Sequence, residues 1–230
     1  MTRPVKIDVI ADVSCPWSAI GLAELRRALV LSSGLIDAEI VLRPYELNPW
    51  MPADGQNLME YSAWMHGMDP AAFDRRCAVL RERAAEAGVD MAIDADSRIH
   101  YTFDAHRLLR WARSQRRQLQ LAEELYRANF GANLDLGDHA VLAEAAGEAG
   151  LDGSEARALL ESGRFVGDVR AELAGWRSKG VRSVPSIVFD DRYVISRAVS
   201  AKAFQDILEG IASEVPVDGV VWHTVAGAEA

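Results

Sequence analysis

The stretch ADVSCPWSAIG, from Ala11 to Gly21, joins a strand pattern to a helix pattern. Before it, residues 5–11 alternate apolar and polar side chains, which is typical of a half-buried strand. After it, residues 16–32 carry leucines at helical spacing, with a glycine just beyond their end. The sequence therefore predicts a strand that runs directly into a helix, with Cys15 at the junction.

The residue types at this junction favour a reactive thiol. Pro16 suits the first position of a helix, where a backbone N–H would have no partner anyway, so Cys15 is expected at the N-cap. There the sulfur would face unpaired amides and the positive end of the helix dipole, which stabilise a thiolate and lower a cysteine pKa. Ser18, one turn later, would donate its hydroxyl to the same sulfur. Such a thiolate can attack a disulfide; the alternative is an inert cysteine that only caps the helix.

Composition limits the class of protein. The formal net charge of −9 over 230 residues disfavours nonspecific binding to nucleic acid or to an anionic membrane, because both need clustered cations. The opening MTRPVKIDVIAD has no uninterrupted apolar run, so neither a signal peptide nor a membrane span is expected. The two cysteines, Cys15 and Cys77, do not make a disulfide framework. We expect a cytoplasmic protein in a reducing compartment.

The order of patterns along the chain predicts an α/β fold interrupted by a long helical segment. A second strand is expected at 38–44, so the chain opens as βαβ. The run 186–196 predicts a hairpin about an Asp-Asp turn, and a last helix follows it. The tail from Val215 would add an edge strand or a loose extension. Between the two parts, helices are expected at 57–66, 70–87, 101–117, 118–130, 138–149, 154–162 and 165–179.

Four segments, in order, resemble one known family. The first, CPWSAIG at 15–21, resembles the Cys-Pro-Trp-Cys-Tyr-Ile-Gly signature of the FrnE-like branch of the DsbA family, which are thioredoxin-fold thiol oxidoreductases. Three further segments are similar to that branch: RPYELNP at 43–49, TFDAHRLLRWA at 102–112 and GVRSVPSIVFDDRYVISRA at 180–198. Four ordered motifs are more specific than a lone Cys-x-x-Cys pair.

The resemblance implies a thioredoxin-like fold, βαβ then ββα, with a large all-helical insertion domain. We place the first part of the thioredoxin-like domain at residues 1–50, the helical insertion at 51–165, the second part at 166–212 and a C-terminal extension at 213–230. Related families with the same fold and insertion are the 2-hydroxychromene-2-carboxylate isomerases and the kappa-class glutathione transferases.

The resemblance also implies the residues of the site. Cys15 is the nucleophile, with Pro16 and Trp17 beside it. The Val184–Pro185 peptide bond is expected to be cis, so that the exposed backbone of Val184, next to Pro185, pairs with an extended substrate. Ser18 stands where redox-active relatives have a second cysteine, so Cys15 and Ser18 cannot cycle as an intramolecular dithiol. A monothiol could still form a mixed disulfide with glutathione or a protein and be released by an external thiol.

Three other residues are weaker candidates. Cys77 lies on an apolar helical stripe, which favours a buried core cysteine over a thiol that resolves a mixed disulfide at Cys15. His106 is expected to pack within its helix, or else to help hold Cys15 as a thiolate. Asn48 precedes a proline and indicates a turn, while the resemblance to the isomerases would place it near a substrate. The five histidines show no metal-ligand spacing, so no metal site is expected.

The predicted function is therefore thiol-disulfide exchange at a monothiol Cys-Pro-Trp-Ser site, with no tightly bound cofactor and glutathione as a co-substrate. Expected partners are protein or glutathione thiols and disulfides, and a homodimer is kept open. Two alternatives stay open as well. One is a glutathione-dependent isomerase or transferase acting on a small aromatic substrate, and the other is a non-catalytic peptide-binding thioredoxin-fold module.

Overall fold

The structure is a computed structural model that describes residues 2–213. Its strands are β1 (Arg3–Ala11), β2 (Ile36–Pro44), β3 (Gln56–Asn57), β4 (Arg98–Ile99), β5 (Ser186–Phe189) and β6 (Tyr193–Ile195). Its α-helices are α1 (Pro16–Leu31), α2 (Leu58–His66), α3 (Pro70–Ala87), α4 (Phe103–Ser114), α5 (Gln118–Tyr126), α6 (His139–Glu148), α7 (Gly153–Glu161), α8 (Val166–Ser178) and α9 (Ala201–Ser213).

By their contacts the described residues form two compact units. The first comprises residues 2–45 and 171–213, and the second is Glu46–Arg170. The boundary between Arg170 and Ala171 falls inside α8, so one helix contributes residues to both units. The domain limits at residues 50 and 165 stay predictions.

The first unit is built on a four-stranded sheet in the order β2-β1-β5-β6. Strands β1 and β2 are parallel and joined by α1, whereas β5 pairs antiparallel with both β1 and β6. Residues 7–11 of β1 are all buried, because this central strand is paired on both edges and covered on both faces. The predicted βαβ opening and closing hairpin with its helix are confirmed.

Two charged contacts tie this unit together internally. Asp8, in the middle of β1, is 1% exposed and accepts a hydrogen bond of 2.7 Å from Nε of Arg43 on β2. The buried carboxylate of Glu24 on α1 accepts a hydrogen bond of 2.8 Å from the backbone N–H of Ala201, the first residue of α9. A helix start has unpaired N–H groups, and Glu24 satisfies one of them.

The β5–β6 hairpin turns at the aspartate pair that the sequence singles out. Asp190 and Asp191 have φ angles of 51° and 55°, the left-handed conformation of the two central residues of a type I′ turn, and the Arg192 N–H donates to the Phe189 carbonyl oxygen at 2.9 Å across it. Asp190 Oδ1 also accepts the backbone N–H of Lys6 at 2.9 Å, which fixes the turn against β1. This turn follows the C-terminal end of β5, whereas Pro185 precedes its N-terminal end.

The second unit contains six complete α-helices, α2 to α7, and a two-residue ladder between β3 and β4. Aspartate caps begin three of the helices: Asp69, Asp138 and Asp152 each accept backbone N–H groups of the first turn. The helix predicted at 118–130 is wrong at its end, because the chain widens into a π-helical turn at Arg127–Gly131. The helix predicted over 101–117 is shorter, since Arg116 adopts a positive φ of 56°.

Among the residues that the structure describes, no helix is long and apolar enough to cross a membrane. The tail from Val215, for which an edge strand or an extension is predicted, lies outside the described residues.

Candidate active site

Cys15 occupies the N-cap position of α1, as the sequence predicts. Its backbone is extended, with φ −96° and ψ 112°, and Pro16 is the first residue of the helix. A tight turn leads into it: the Cys15 N–H donates to the carbonyl oxygen of Asp12 at 3.0 Å, and the Ser14 N–H donates to Asp12 Oδ1 at 3.1 Å. Asp12 itself is fully buried. The turn therefore holds a carboxylate three residues before the thiol.

The Cys15 sulfur contacts the loop before β5, residues 179–185, which joins α8 to β5. Cys15 is 4% exposed, and its Sγ is 3.5 Å from the carbonyl oxygen of Val184, close enough for a weak S–H···O hydrogen bond. The Val184–Pro185 peptide bond is cis. The structure thus brings together two segments about 170 residues apart, the start of α1 and the loop before β5.

Burial raises the pKa of the Cys15 thiol above its ordinary value. The Ser18 hydroxyl and the backbone N–H groups of Ser18 and Trp17 act in the opposite direction, and the charge of Asp12 adds to the increase. The sequence-based expectation of a lowered pKa is therefore wrong. The helix N-terminus does stabilise the thiolate, but desolvation of a nearly enclosed sulfur outweighs it.

Ser18 lies one turn along α1 from Cys15. Its side chain is fully buried, and Oγ makes no hydrogen bond of ordinary geometry within residues 2–213. Its interaction with the sulfur is nevertheless the largest of those that lower the pKa of Cys15. The hydroxyl proton is therefore available to a thiolate at Cys15, and a hydroxyl at this place cannot form a disulfide.

The loop before β5 rests on a compact apolar cluster. Val184 is half-buried and packs against it, together with Val194. The cluster consists of Ile10, Tyr45, Trp176, Val181 and Val188. On its other side the loop contacts α1, where a Cβ atom at Gly21 would lie 3.1 Å from Pro185 Cγ. The position of the Val184 carbonyl is thus fixed by packing from both sides.

Of the other residues that the sequence singles out, Pro16 and Trp17 lie beside the thiol and are half-buried. Asn48 and His106 belong to the second unit. Asn48 Oδ1 accepts a hydrogen bond of 2.6 Å from the Tyr61 hydroxyl, and His106 is 3% exposed within α4. Their predicted roles toward a substrate or the thiolate stay predictions.

Cys77 also belongs to the second unit. It is a free cysteine, 2% exposed, on the buried stripe of α3 with Phe73, Leu80 and Ala84. The prediction of a core cysteine is confirmed. Burial raises the pKa of this thiol too, which does not favour the alternative role as a resolving nucleophile.

Sequence reasoning missed three features of the site. Asp12 appears in the sequence only as a charge that interrupts an apolar run, although an acid three residues before a cysteine at a strand end is a usable signal. The contact between Gly21 and Pro185 had no such signal, because it joins distant segments. The packing of Val184 against the cluster that contains Tyr45 and Trp176 also had no signal in the sequence.

Within residues 2–213 no group of three or more His, Cys, Asp or Glu side chains is arranged to hold a metal ion. The candidate site is thus made of one cysteine thiol, one hydroxyl, the amides that begin α1 and the backbone of Val184.

This fold and site define a class: a thioredoxin-like domain with a cysteine at the start of its first helix, facing a proline-containing loop. The profile of the DSBA-like thioredoxin domain family matches residues 6–209, so the chain belongs to that family. The fold class, thioredoxin-like with a helical insertion, and the DsbA-family oxidoreductase class predicted from the sequence are both confirmed at the level of the family.

The chain is also similar to individual proteins. The crystal structure of the probable DsbA oxidoreductase SCO1869 from Streptomyces coelicolor is 29% identical, with a TM-score of 0.83 over 94% of this chain and 93% of that one. The uncharacterized protein YwbO of Bacillus subtilis is 24% identical over 88% of this chain and 96% of its own length. The cytosolic disulfide reductase DsbM from Pseudomonas aeruginosa, also solved with GSH, shares the fold at 14% identity and a TM-score of 0.62, covering 91% of this chain and all of that one.

Proposed function

We propose that this protein is a monothiol thiol-disulfide oxidoreductase in which Cys15 attacks protein or glutathione mixed disulfides. The observation that carries the proposal is the placement of the Cys15 sulfur. It lies at the N-terminal end of α1, within 3.5 Å of the Val184 carbonyl and next to a buried Ser18. A Cys-x-x-Cys pair is not present, because the residue one turn along the helix is Ser18.

The proposed reaction is an exchange with no net oxidation. The Cys15 thiolate attacks one sulfur of a partner disulfide, a new S–S bond forms to Cys15, and the partner's own S–S bond breaks. The released sulfur leaves as a thiolate and takes up the proton that Cys15 gave to solvent. An external thiol such as glutathione then attacks the mixed disulfide, which frees Cys15 and completes the transfer.

Formation of the thiolate is the demanding step, because burial raises the pKa of Cys15 and so favours the thiol over the thiolate. The groups that favour the anion are already in place: the Ser18 hydroxyl and the N–H groups of Trp17 and Ser18. These donors interact more strongly with a negative sulfur than with a thiol, so they stabilise the charge as it develops. Ser18 thus takes a role as hydrogen-bond donor, which a second cysteine would not fill in the same way.

The loop at Val184 and Pro185 would hold the partner. Its backbone precedes β5 and is positioned next to the sulfur, so an extended peptide chain lying there would pair with Val184 while its disulfide meets Cys15. Pro16 and Trp17 would form the opposite side. Glutathione is proposed as co-substrate and not as a bound cofactor, which the structure of DsbM with GSH supports by analogy. Action in the cytoplasm rests on the same relative's description as cytosolic.

The test is covalent capture of a glutathionyl group. The full chain is incubated with oxidised glutathione at several pH values, and the adduct is located by mass spectrometry of peptides. We expect one glutathionyl group on Cys15, and none on the Cys15→Ser variant. Cys77→Ala is the matched control, because it removes the other free thiol and should leave the adduct unchanged. Labelling at Cys77 alone, or no adduct at any pH, would contradict the proposal.

The same variants separate the two alternatives. A glutathione-dependent isomerase or transferase would bind glutathione non-covalently and keep its activity on a small aromatic substrate in Cys15→Ser. A peptide-binding module would bind unfolded client protein equally well with and without the thiol. Either result, together with the absence of an adduct, would replace the exchange reaction as the function of the site.

A further inference from the structure

A short basic segment leads into the loop beside the thiol. Arg177, Lys179 and Arg182 lie within six residues, and no acidic residue occurs between Glu172 and Asp190. This contrasts with the whole chain, which carries 34 acidic against 25 basic residues. A local excess of cations in an acidic protein attracts anions to one place and leaves the rest of the surface repulsive to them.

Two of these cations are held on aromatic rings that support the loop. The Arg177 guanidinium lies 5.6 Å from the centre of the Tyr45 ring, and Lys179 Nζ lies 4.6 Å from the centre of the Trp176 ring. Both rings are largely buried, at 8% and 7% exposed. Cation–π contacts of this kind restrict where a long side chain can place its charge.

The third cation is anchored at the end of α8. Arg182 Nη1 donates to the carbonyl oxygens of Val181 and Arg177, which lie at and beyond the last turn of that helix. Within residues 2–213, neither Lys179 nor Arg182 forms an ion pair with a carboxylate. Their charges are thus positioned by neutral groups and remain available to an anion.

Two of these cations contact the apolar cluster that supports the loop before β5. Tyr45 and Trp176 belong to the cluster on which Val184 packs, and the Val184 carbonyl is 3.5 Å from the Cys15 sulfur. Arg182 precedes Val184 by two residues. An extended substrate that pairs with Val184 would therefore lie along the segment that carries these cations.

We propose that Lys179 and Arg182 form an anion subsite that binds a carboxylate of the disulfide substrate close to the sulfur that Cys15 attacks. The proposal rests on the exchange reaction at Cys15 and specifies its substrate class. Disulfides with carboxylates flanking the sulfur, such as a glutathionyl group or an acidic peptide, are preferred over neutral or cationic ones.

The test compares three small disulfides in the Cys77→Ala background, where Cys15 is the remaining thiol. Oxidised glutathione carries carboxylates, bis(2-hydroxyethyl) disulfide is neutral and cystamine is cationic. The measured quantity is the rate of adduct formation on Cys15 at low salt. We expect the rate with oxidised glutathione to fall about tenfold in Lys179→Gln/Arg182→Gln and to fall with added salt in the parent protein. The rate with the neutral disulfide should change by less than about twofold.

Arg192→Gln is the matched control, because this exposed arginine lies in the β5–β6 turn, at the far end of β5 from Pro185. It should leave all three rates unchanged. A disulfide-linked acidic peptide identifies the source: if it is slowed as much as oxidised glutathione, the subsite accepts protein carboxylates, and if it is not slowed, the subsite is selective for the glutathionyl group.

The two proposals fail in different ways. If Cys15 reacts with none of the three disulfides in the parent protein, the exchange reaction itself is wrong. If Cys15 reacts with the neutral disulfide, but the double variant reacts with oxidised glutathione at the parent rate, the anion subsite is overturned and the exchange reaction stands.

Discussion

Gly21 on α1 lies directly against Pro185, so closely that a Cβ atom at Gly21 would stand 3.1 Å from Pro185 Cγ. The same added atom would be 3.4 Å from the Cβ atom of Ala198. Glycine at this position allows α1 to approach the loop whose Val184 carbonyl contacts the Cys15 sulfur. The packing of one helix thus sets the geometry of the thiol site.

We therefore expect Gly21→Ala to disturb the site more than the fold. Overpacking against Pro185 should destabilise by about 2 kcal/mol, partly offset by about 1 kcal/mol of better helix propensity. Urea unfolding measures the net change in stability. The rate of Cys15 alkylation by iodoacetamide measures the disturbance of the site. Gly175→Ala on α8 is the control, because a Cβ there meets nothing within 4 Å. An unchanged alkylation rate in Gly21→Ala would show that the loop does not depend on this contact.

The pH dependence of Cys15 should show a thiol that is harder to ionise than a free cysteine. Because burial raises its pKa, the alkylation rate should rise with pH, with a midpoint above that of a free cysteine. Ser18→Ala removes a group that lowers this pKa, so the midpoint should move further up. Ser33→Ala, an exposed serine after α1, should have no effect. A midpoint below that of a free cysteine in the parent protein would contradict the burial argument.

Asp12 should raise the pKa of Cys15, whereas the Ser18 hydroxyl lowers it. Its negative charge disfavours a thiolate nearby and raises the pKa of Cys15. Asp12→Asn keeps an acceptor for the Ser14 N–H and removes the charge, so the alkylation midpoint should fall and the rate at neutral pH should increase. Asp37→Asn, at an exposed position of β2, is the control. A slower reaction in Asp12→Asn would indicate that the carboxylate assists deprotonation.

Ser18→Cys should introduce a dithiol that cycles. Positions 15 and 18 lie one helical turn apart, and the side chain of residue 18 already influences the pKa of the Cys15 thiol. We expect the variant to reduce insulin with turnover under dithiothreitol, whereas the parent protein shows little turnover. The double variant Cys15→Ser/Ser18→Cys should be as inactive as the parent. No gain in a folded Ser18→Cys variant would contradict the relative placement of the two side chains.

Arg107 is expected to determine the stability of the second unit. It is 3% exposed and donates to Asp104 at 2.7 Å and to the carbonyl oxygens that end α7, Leu159 at 2.8 Å and Leu160 at 3.3 Å among them. Arg107→Met would leave these acceptors unsatisfied and should destabilise by about 3 kcal/mol in urea unfolding. The exposed Arg157→Met should lose at most about 0.5 kcal/mol, although it also removes an ion pair with Glu161. Equal losses in both variants would refute the capping role.

Much of this protein follows from local sequence patterns. The alternation in residues 5–11, the proline after Cys15 and the Asp190–Asp191 turn predicted β1, the N-cap and the hairpin, because each depends on neighbours a few residues away. The burial of Cys77 on the apolar stripe of α3 could be predicted for the same reason. The ends of the helices were predicted less accurately. At Arg127–Gly131 a π-helical turn replaces the end of the predicted α-helix.

The sequence by itself determined that a cysteine stands at the start of α1 and that Ser18, not a second cysteine, stands one helical turn later. Only the tertiary structure decided how acidic that thiol is, because the pKa depends on what encloses the sulfur. Val184, about 170 residues further along the chain, contacts the sulfur. Tyr45 and Trp176 pack against Val184, and Gly21 packs against the adjoining Pro185. Desolvation is a property of the packed surroundings and not of the local chain, so it reversed the direction that the helix N-terminus alone predicts.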